Sequence, residues 1–99
     1  MRGVRVFHTI TGGAPIIAKS EKHNRDDFWT LEDPLYMLYY LDEDGTERMQ
    51  VNNVAAFAKG NSIKLFKDHI LFQYEPTDHI LDHYNDTLLS KLNPETDDD

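Results

Sequence analysis

Ninety-nine residues, 39% hydrophobic and 11% aromatic, are enough for one globular domain and too few for two cores. The lack of cysteine excludes disulfide staples and thiolate-bound zinc, and fits an intracellular protein. A formal net charge of −8 argues against a uniformly basic nucleic-acid binder, and no apolar run approaches the ~20 residues of a membrane helix.

The opening Met1-Arg2-Gly3-Val4-Arg5-Val6 is basic but leads into no apolar h-region, so no secretory signal is expected and the expected location is cytoplasmic. Val4, Val6, His8 and Ile10 alternate with Arg5, Phe7 and Thr9, which predicts a strand. Thr11-Gly12-Gly13-Ala14-Pro15 reads as a turn, and Ile16 to Lys22 as a second strand. After the polar turn His23-Asn24-Arg25-Asp26-Asp27, strands are expected at 28–32 and 35–41, broken at Pro34, which is placed at a bend or strand start because it donates no ladder hydrogen bond. Residues 28–45 hold five of the eleven aromatic residues. Apolar side chains fill both alternating sets from Leu35 to Leu41, so this strand should be covered on both faces, in part by another copy of the chain.

Asp42-Glu43-Asp44-Gly45 is a hairpin turn with Gly45 at positive φ. Thr46 to Ala58 fits two alternating pieces offset at Asn52-Asn53, where an extra residue would make a bulge. Lys59-Gly60-Asn61 is a turn, Ser62 to Phe66 a strand, Lys67-Asp68-His69 a tight turn, and Ile70 to Tyr74 the last strand. The period then changes. Thr77 is a helix N-cap, Ile80, Leu81, Tyr84, Leu88 and Leu92 form one apolar stripe, and Asn93-Pro94 stops the helix. The expected architecture is all-β: a small, strongly bent barrel of about five strands with a C-terminal α-helix. It places one domain over 1–92 (strands within 3–74, helix 77–92) and a disordered acidic tail at 93–99.

Charge is segregated along the chain. Residues 1–25 carry five bases against Glu21, and 26–47 carry eight acids and no base. Residues 48–67 carry four bases and no acid, and 68–99 carry nine acids against Lys91. Such segregation either presents a basic surface on an acidic protein or crowds acids into turns for solubility.

The small-barrel order together with Asp33-Pro34-Leu35-Tyr36-Met37-Leu38-Tyr39-Tyr40-Leu41-Asp42 resembles the Sm-like (LSm) family, whose first motif carries an acid at a strand junction and an apolar strand ending in an acidic turn. Phe57-Ala58-Lys59-Gly60-Asn61-Ser62-Ile63 is similar to the basic residue–Gly–x–x–Ile pattern of the second motif. Phe66-Lys67-Asp68-His69-Ile70 is an alternative placement, similar to the matching turn of the bacterial Sm-type RNA chaperone. Most of the chain, including Ile70-Leu71-Phe72-Gln73-Tyr74-Glu75-Pro76-Thr77-Asp78, looks like Sm-like proteins of marine cyanophages. The resemblance implies a cyclic homo-oligomer, pentamer to heptamer, that binds single-stranded RNA or DNA in nucleic-acid processing, in the host cytoplasm if phage-encoded. A structural or adaptor ring without nucleic acid is the alternative. Two departures stand out: the helix follows the strands, and Met37 stands where the motif carries Asn.

The candidate nucleic-acid-binding residues are Asp33, Tyr36, Lys59, Asn61, Lys67 and His69. Asp33 follows from the resemblance. Tyr36 could stack a base, whereas Tyr39 and Tyr40 are read as packing residues. Lysines in the late turns would neutralise phosphates without reading sequence, and Asn61 could bond a base edge; solvated turn chemistry is the competing reading. His79 and His83, at i and i+4, have metal-clamp spacing but neither a third ligand nor the glutamate of a zinc protease. No paired carboxylate has an acid–base neighbour and no nucleophile motif occurs, so no enzyme activity, cofactor or metal is expected.

Overall fold

The computed structural model describes residues 3–54 and 60–92, with side chains through residue 90. Lys59, the helix stop and the acidic tail therefore lie outside the described residues. Strands β1 (Gly3–Thr9), β2 (Ile16–Glu21), β3 (Phe28–Leu41), β4 (Glu47–Asn53), β5 (Ser62–Phe66) and β6 (Ile70–Tyr74) precede helix α1 (Asp78–Leu92). All ladders are antiparallel within one sheet, ordered β4-β3-β2-β1-β6, with β5 also beside β3.

The two strands expected around Pro34 are one. β3 runs unbroken for 14 residues, pairing with β5 through 28–32 and with β4 through 35–41. On its other side, Ile17 faces Leu35 and Lys19 faces Glu32, so Asp33 and Pro34 together oppose Ala18. This is a β-bulge, and Asp33 takes a left-handed φ of 52° there. A bulge tolerates the proline because the extra residue takes no place in the ladder. It also inverts the side-chain alternation. Trp29 and Leu31 share one face with Tyr36 and Leu38, while Leu35 and Met37 point to the other.

The sheet is sharply bent, as its connections require. In a flat sheet β5 and β6 would lie four strand spacings apart, about 19 Å. The 3₁₀ turn Lys67–His69 carries the chain from Phe66 to Ile70, a link of at most about 14 Å. The sheet therefore curls around Phe7, Ile16, Ala18 and Leu31, against which Trp29, Val54, Ile63, Leu65 and Ile70 pack. Its other face carries Val6, Ile17 and Leu35 and is covered by α1 through Tyr84, Ile80, Leu81 and Leu88. The Thr77 hydroxyl caps the helix by accepting from the Ile80 amide at 3.4 Å. The β3–β4 hairpin closes as its residues dictate: Gly45 has φ 78°, and Asp42 Oδ1 accepts the amides of Asp44 and Thr46, each at 3.0 Å.

Coverage of β3 on both faces holds only at its middle. Leu38, Tyr39, Tyr40 and Leu41 are 49, 56, 44 and 64% exposed, since the described contacts of α1 with β3 and β4 end near Met37 and Val51. The sheet margins are also bare. Among the described residues, the outer sides of β4 and β6 have no ladder partner.

Tyr84 pins the helix to the bulge. It is 1% exposed and its hydroxyl donates to the Asp33 carbonyl at 2.9 Å. Burial pushes its phenol well above the ordinary value of 10. Because the native state disfavours ionisation, this stabilisation is complete below pH 10 and is lost as pH rises further, when the unfolded phenol ionises first. In an absorbance titration at alkaline pH, one tyrosine should ionise only as the protein unfolds. In urea, Tyr84→Phe should cost about 1 kcal/mol and Tyr84→Ala about 3–5 kcal/mol.

Candidate nucleic-acid interface

The six candidate residues divide into separate places. Asp33 and Asn61 meet at the bulge. The Asn61 amide donates to Asp33 Oδ1 at 2.5 Å, Lys19 Nζ lies 3.1 Å from Oδ2, and the Asp33 amide donates to the Asn61 carbonyl at 2.8 Å. With the Tyr84 hydroxyl on its carbonyl, Asp33 joins β2, β3, the 60–61 turn and α1. Its polar atoms are engaged in holding the fold. The carboxylate needs these partners because it sits on a left-handed residue with no strand neighbour.

Tyr36 and His69 come together elsewhere, at the mouth of the curled sheet. They line a cleft of about 710 Å³ with Thr9, Thr11, Leu38 and Asn52. Ile16, Tyr36 and Asn52 are consecutive cross-strand neighbours on β2, β3 and β4. The Ile10 amide donates to the His69 carbonyl at 2.9 Å, which holds the 3₁₀ turn over the β1–β2 turn. Thr9 Oγ1 is committed to Gly12 O at 3.2 Å and to the Thr11 hydroxyl at 3.1 Å. Lys67 points elsewhere, 3.6 Å from Asp27, with its amide on the Asp27 carbonyl. The two exposed partners of that pair gain at most about 1 kcal/mol from it, so a phosphate can displace the carboxylate.

Tertiary pairing alters the charge map read from the sequence. Lys19 pairs with Asp33, Arg48 with Asp42 at 2.8 Å, and Arg5 with Glu75 at 3.8 Å. The Arg48 guanidinium holds the Asp42 carboxyl below the usual carboxylate range. These pairs cancel part of the basic surplus, one across the local β3–β4 hairpin and two between more distant segments. Among the described residues, Lys22, Arg25 and Lys64 have no carboxylate within ion-pair distance.

Two groups of residues escaped the sequence reading. Asn52 was treated only as part of a strand offset, yet it stands opposite Tyr36. Lys64 lies 4.9 Å above the Phe28 ring, which is 5.5 Å from Phe66, so a cation and two phenylalanines share the outer side of the β3–β5 ladder. The alternation Ile63-Lys64-Leu65-Phe66 carried that second signal: Ile63 and Leu65 face the core and Lys64 and Phe66 face out. Nothing local pairs Asn52 with Tyr36. Along α1, His79 and His83 find no third ligand, and no group of three or more metal-binding side chains converges among the described residues.

No family model matches this chain, and no curated protein shows significant similarity to it.

Asp33→Ala should destabilise the protein by about 1–3 kcal/mol in urea, since it removes two side-chain hydrogen bonds and leaves a Cβ-bearing residue at positive φ without local compensation. Asp33→Asn should cost less, because asparagine tolerates left-handed backbone and can still accept from Asn61.

Proposed function

We propose that this chain is an Sm-like, ring-forming nucleic-acid-binding protein. Copies associate head-to-tail into a closed ring of about five to seven subunits, and the ring binds single-stranded RNA or DNA. The observation that carries this reading is the pair of bare margins. An unpaired strand edge with apolar neighbours is a template for strand addition, and soluble monomers avoid it. Among the described residues β4 and β6, at opposite ends of the sheet path, each pair on one side only, as does β5. Leu38, Tyr39, Tyr40 and Leu41 are exposed beside one, and Leu71, Phe72 and Tyr74 on the other. Different edges meeting head-to-tail generate cyclic symmetry, and ring closure would pair the β4 and β6 edges of neighbouring copies.

Nucleic acid is supported by the Tyr36–His69 cleft and by the three cations without acidic partners. In a ring, each small basic contribution is repeated by every subunit. The net charge of −8 and the acidic hairpin tip Asp42-Glu43-Asp44 favour a second reading, a structural or adaptor ring of a phage particle that holds no nucleic acid. Neither reading involves catalysis.

Light scattering of the purified protein should give a multiple of the 11.5 kDa chain mass. Phe72→Glu should lower that mass to a single chain, because it places a charge on the exposed β6 surface. A short single-stranded oligonucleotide should bind the multimer and dissociate as salt rises, since released counterions drive phosphate binding. A wild-type particle of single-chain mass sinks the ring. A multimer that ignores oligonucleotides at low salt selects the adaptor reading.

A further inference from the structure

We infer that the groove between the β3–β4 hairpin and the start of α1 docks a short segment of another protein, apolar in its middle and flanked by lysine or arginine. The inference goes beyond the ring and its nucleic acid and requires neither. The ring reading uses the backbone edges of β4 and β6, whereas this groove lies on the sheet face between them.

The groove is the part of the helix-covered face that α1 leaves bare. Val6 of β1, Met37 of β3 and Met49 of β4 contribute its apolar surface, together with Ile80 in the first turn of α1. Its volume is about 660 Å³, and its walls come from residues 13–15, 37–39 and 74–80, all of them described. Two methionines make the surface adaptable, because their thioether side chains repack around a partner. The same face continues past both ends of the groove. Phe72 follows Tyr74 on β6 and Leu41 follows Tyr39 on β3, and all four are exposed. From β4 to β6 the path spans at most four strand spacings, about 19 Å, which is room for five or six extended residues. A depression that runs on into exposed apolar side chains suits a chain segment better than an enclosed small molecule.

The hydroxyls around the groove are already engaged. Tyr74 pairs with His8 at 2.8 Å, Thr77 caps the Ile80 amide, and Tyr39 is bonded to the Glu47 carboxylate. What remains on offer is apolar contact inside and carboxylate at the rim. The described lining contains one acid, Glu75, and no lysine or arginine. Glu47 stands at the hairpin end beside Tyr39, and exposed Asp78 opens α1 next to Thr77. The neighbouring cations do little to offset them. Arg48 is held by Asp42, and Arg5, whose Nε donates to Gln73, reaches the exposed Glu75 only at 3.8 Å. An apolar groove with an acidic rim selects a partner with bases on either side of its apolar anchor. It disfavours this chain itself, whose net charge is −8, whose exposed hairpin ends in Asp42-Glu43-Asp44 and whose residues 95–99 hold four acids and no base.

The test uses three fluorescein-labelled synthetic peptides and the full-length protein, read by fluorescence anisotropy. The first has four consecutive apolar residues flanked on each side by two lysines. The second carries glutamates in place of the lysines, and the third carries serines in place of the apolar residues. The first should bind at least about tenfold more tightly than either control, since it alone satisfies both the apolar floor and the acidic rim. Joint Glu47→Lys and Glu75→Lys replacement should weaken the lysine peptide about tenfold and strengthen the glutamate peptide. Tyr39→Ser should weaken the lysine peptide about fivefold, because it removes an aromatic wall. Both variants change exposed side chains, and unchanged circular dichroism establishes that they fold. A wild-type protein that binds the lysine peptide no better than the controls overturns the assignment. So does full affinity in the charge-reversed protein. A fall in particle mass in either variant would show that a second copy fills the groove, and would overturn the assignment as well. Oligonucleotide binding is read separately, so its loss leaves the groove untouched.

Discussion

The extra residue in β3 opposite Ala18 governs the rest of the molecule. A strand with strict alternation would send Leu31 and Leu35 to the same face. The bulge at Asp33-Pro34 instead sends Leu31 into the curled interior and Leu35 toward the helix, so one strand serves two cores. The backbone there is held by partners from three other places: Lys19 on β2, Asn61 in the turn before β5, and Tyr84 on α1. Each is modest alone. Together they over-determine a left-handed aspartate that would otherwise relax, and they lock the helix, the bend and the strand register to one another.

The same bend creates the unmet surface. By curling around the Phe7 cluster, with α1 on its other face, the sheet buries its middle and leaves the distal part of β3 and Leu71, Phe72 and Tyr74 of β6 exposed. Among the described residues no further element covers them. His8 and Phe72 stack with ring centroids 4.5 Å apart, and His8 lies 2.8 Å from the Tyr74 hydroxyl, so the β6 surface is ordered as well as apolar. The exposed apolar side chains beside β4 and on β6 are what the proposed strand addition between identical copies rests on.

Electrostatics and shape divide the proposed binding work. Carboxylates brought close by the fold neutralise Lys19, Arg48 and Arg5, which leaves Lys22, Arg25 and Lys64 without an acidic neighbour among the described residues. The described lining of the cleft at the sheet mouth holds no carboxylate, lysine or arginine and includes Tyr36 beside Asn52. In the proposed ring, repetition of the subunit would multiply the few cations of each copy.

Local pattern was enough to place most elements. The alternation of Val4 through Thr9, the acidic turn ending at Gly45 and the Thr77 cap before a stripe at helical spacing each depend on neighbours within a few residues, and each reappears in the structure. What the sequence could not express is which distant residues meet. Pro34 looked like a break because its lost hydrogen bond is visible locally, whereas the bulge that accommodates it exists only through pairing with β2. Asp33 and Asn61 had the character of ligand-binding residues until the turn at 60–61 brought them together. Asn52 comes to lie beside Tyr36 only through strand register. Composition and periodicity determine where strands and helix form, since those are short-range preferences of the backbone. Long-range register decides which side chains become structure and which remain available, because only the folded sheet brings them within hydrogen-bonding distance.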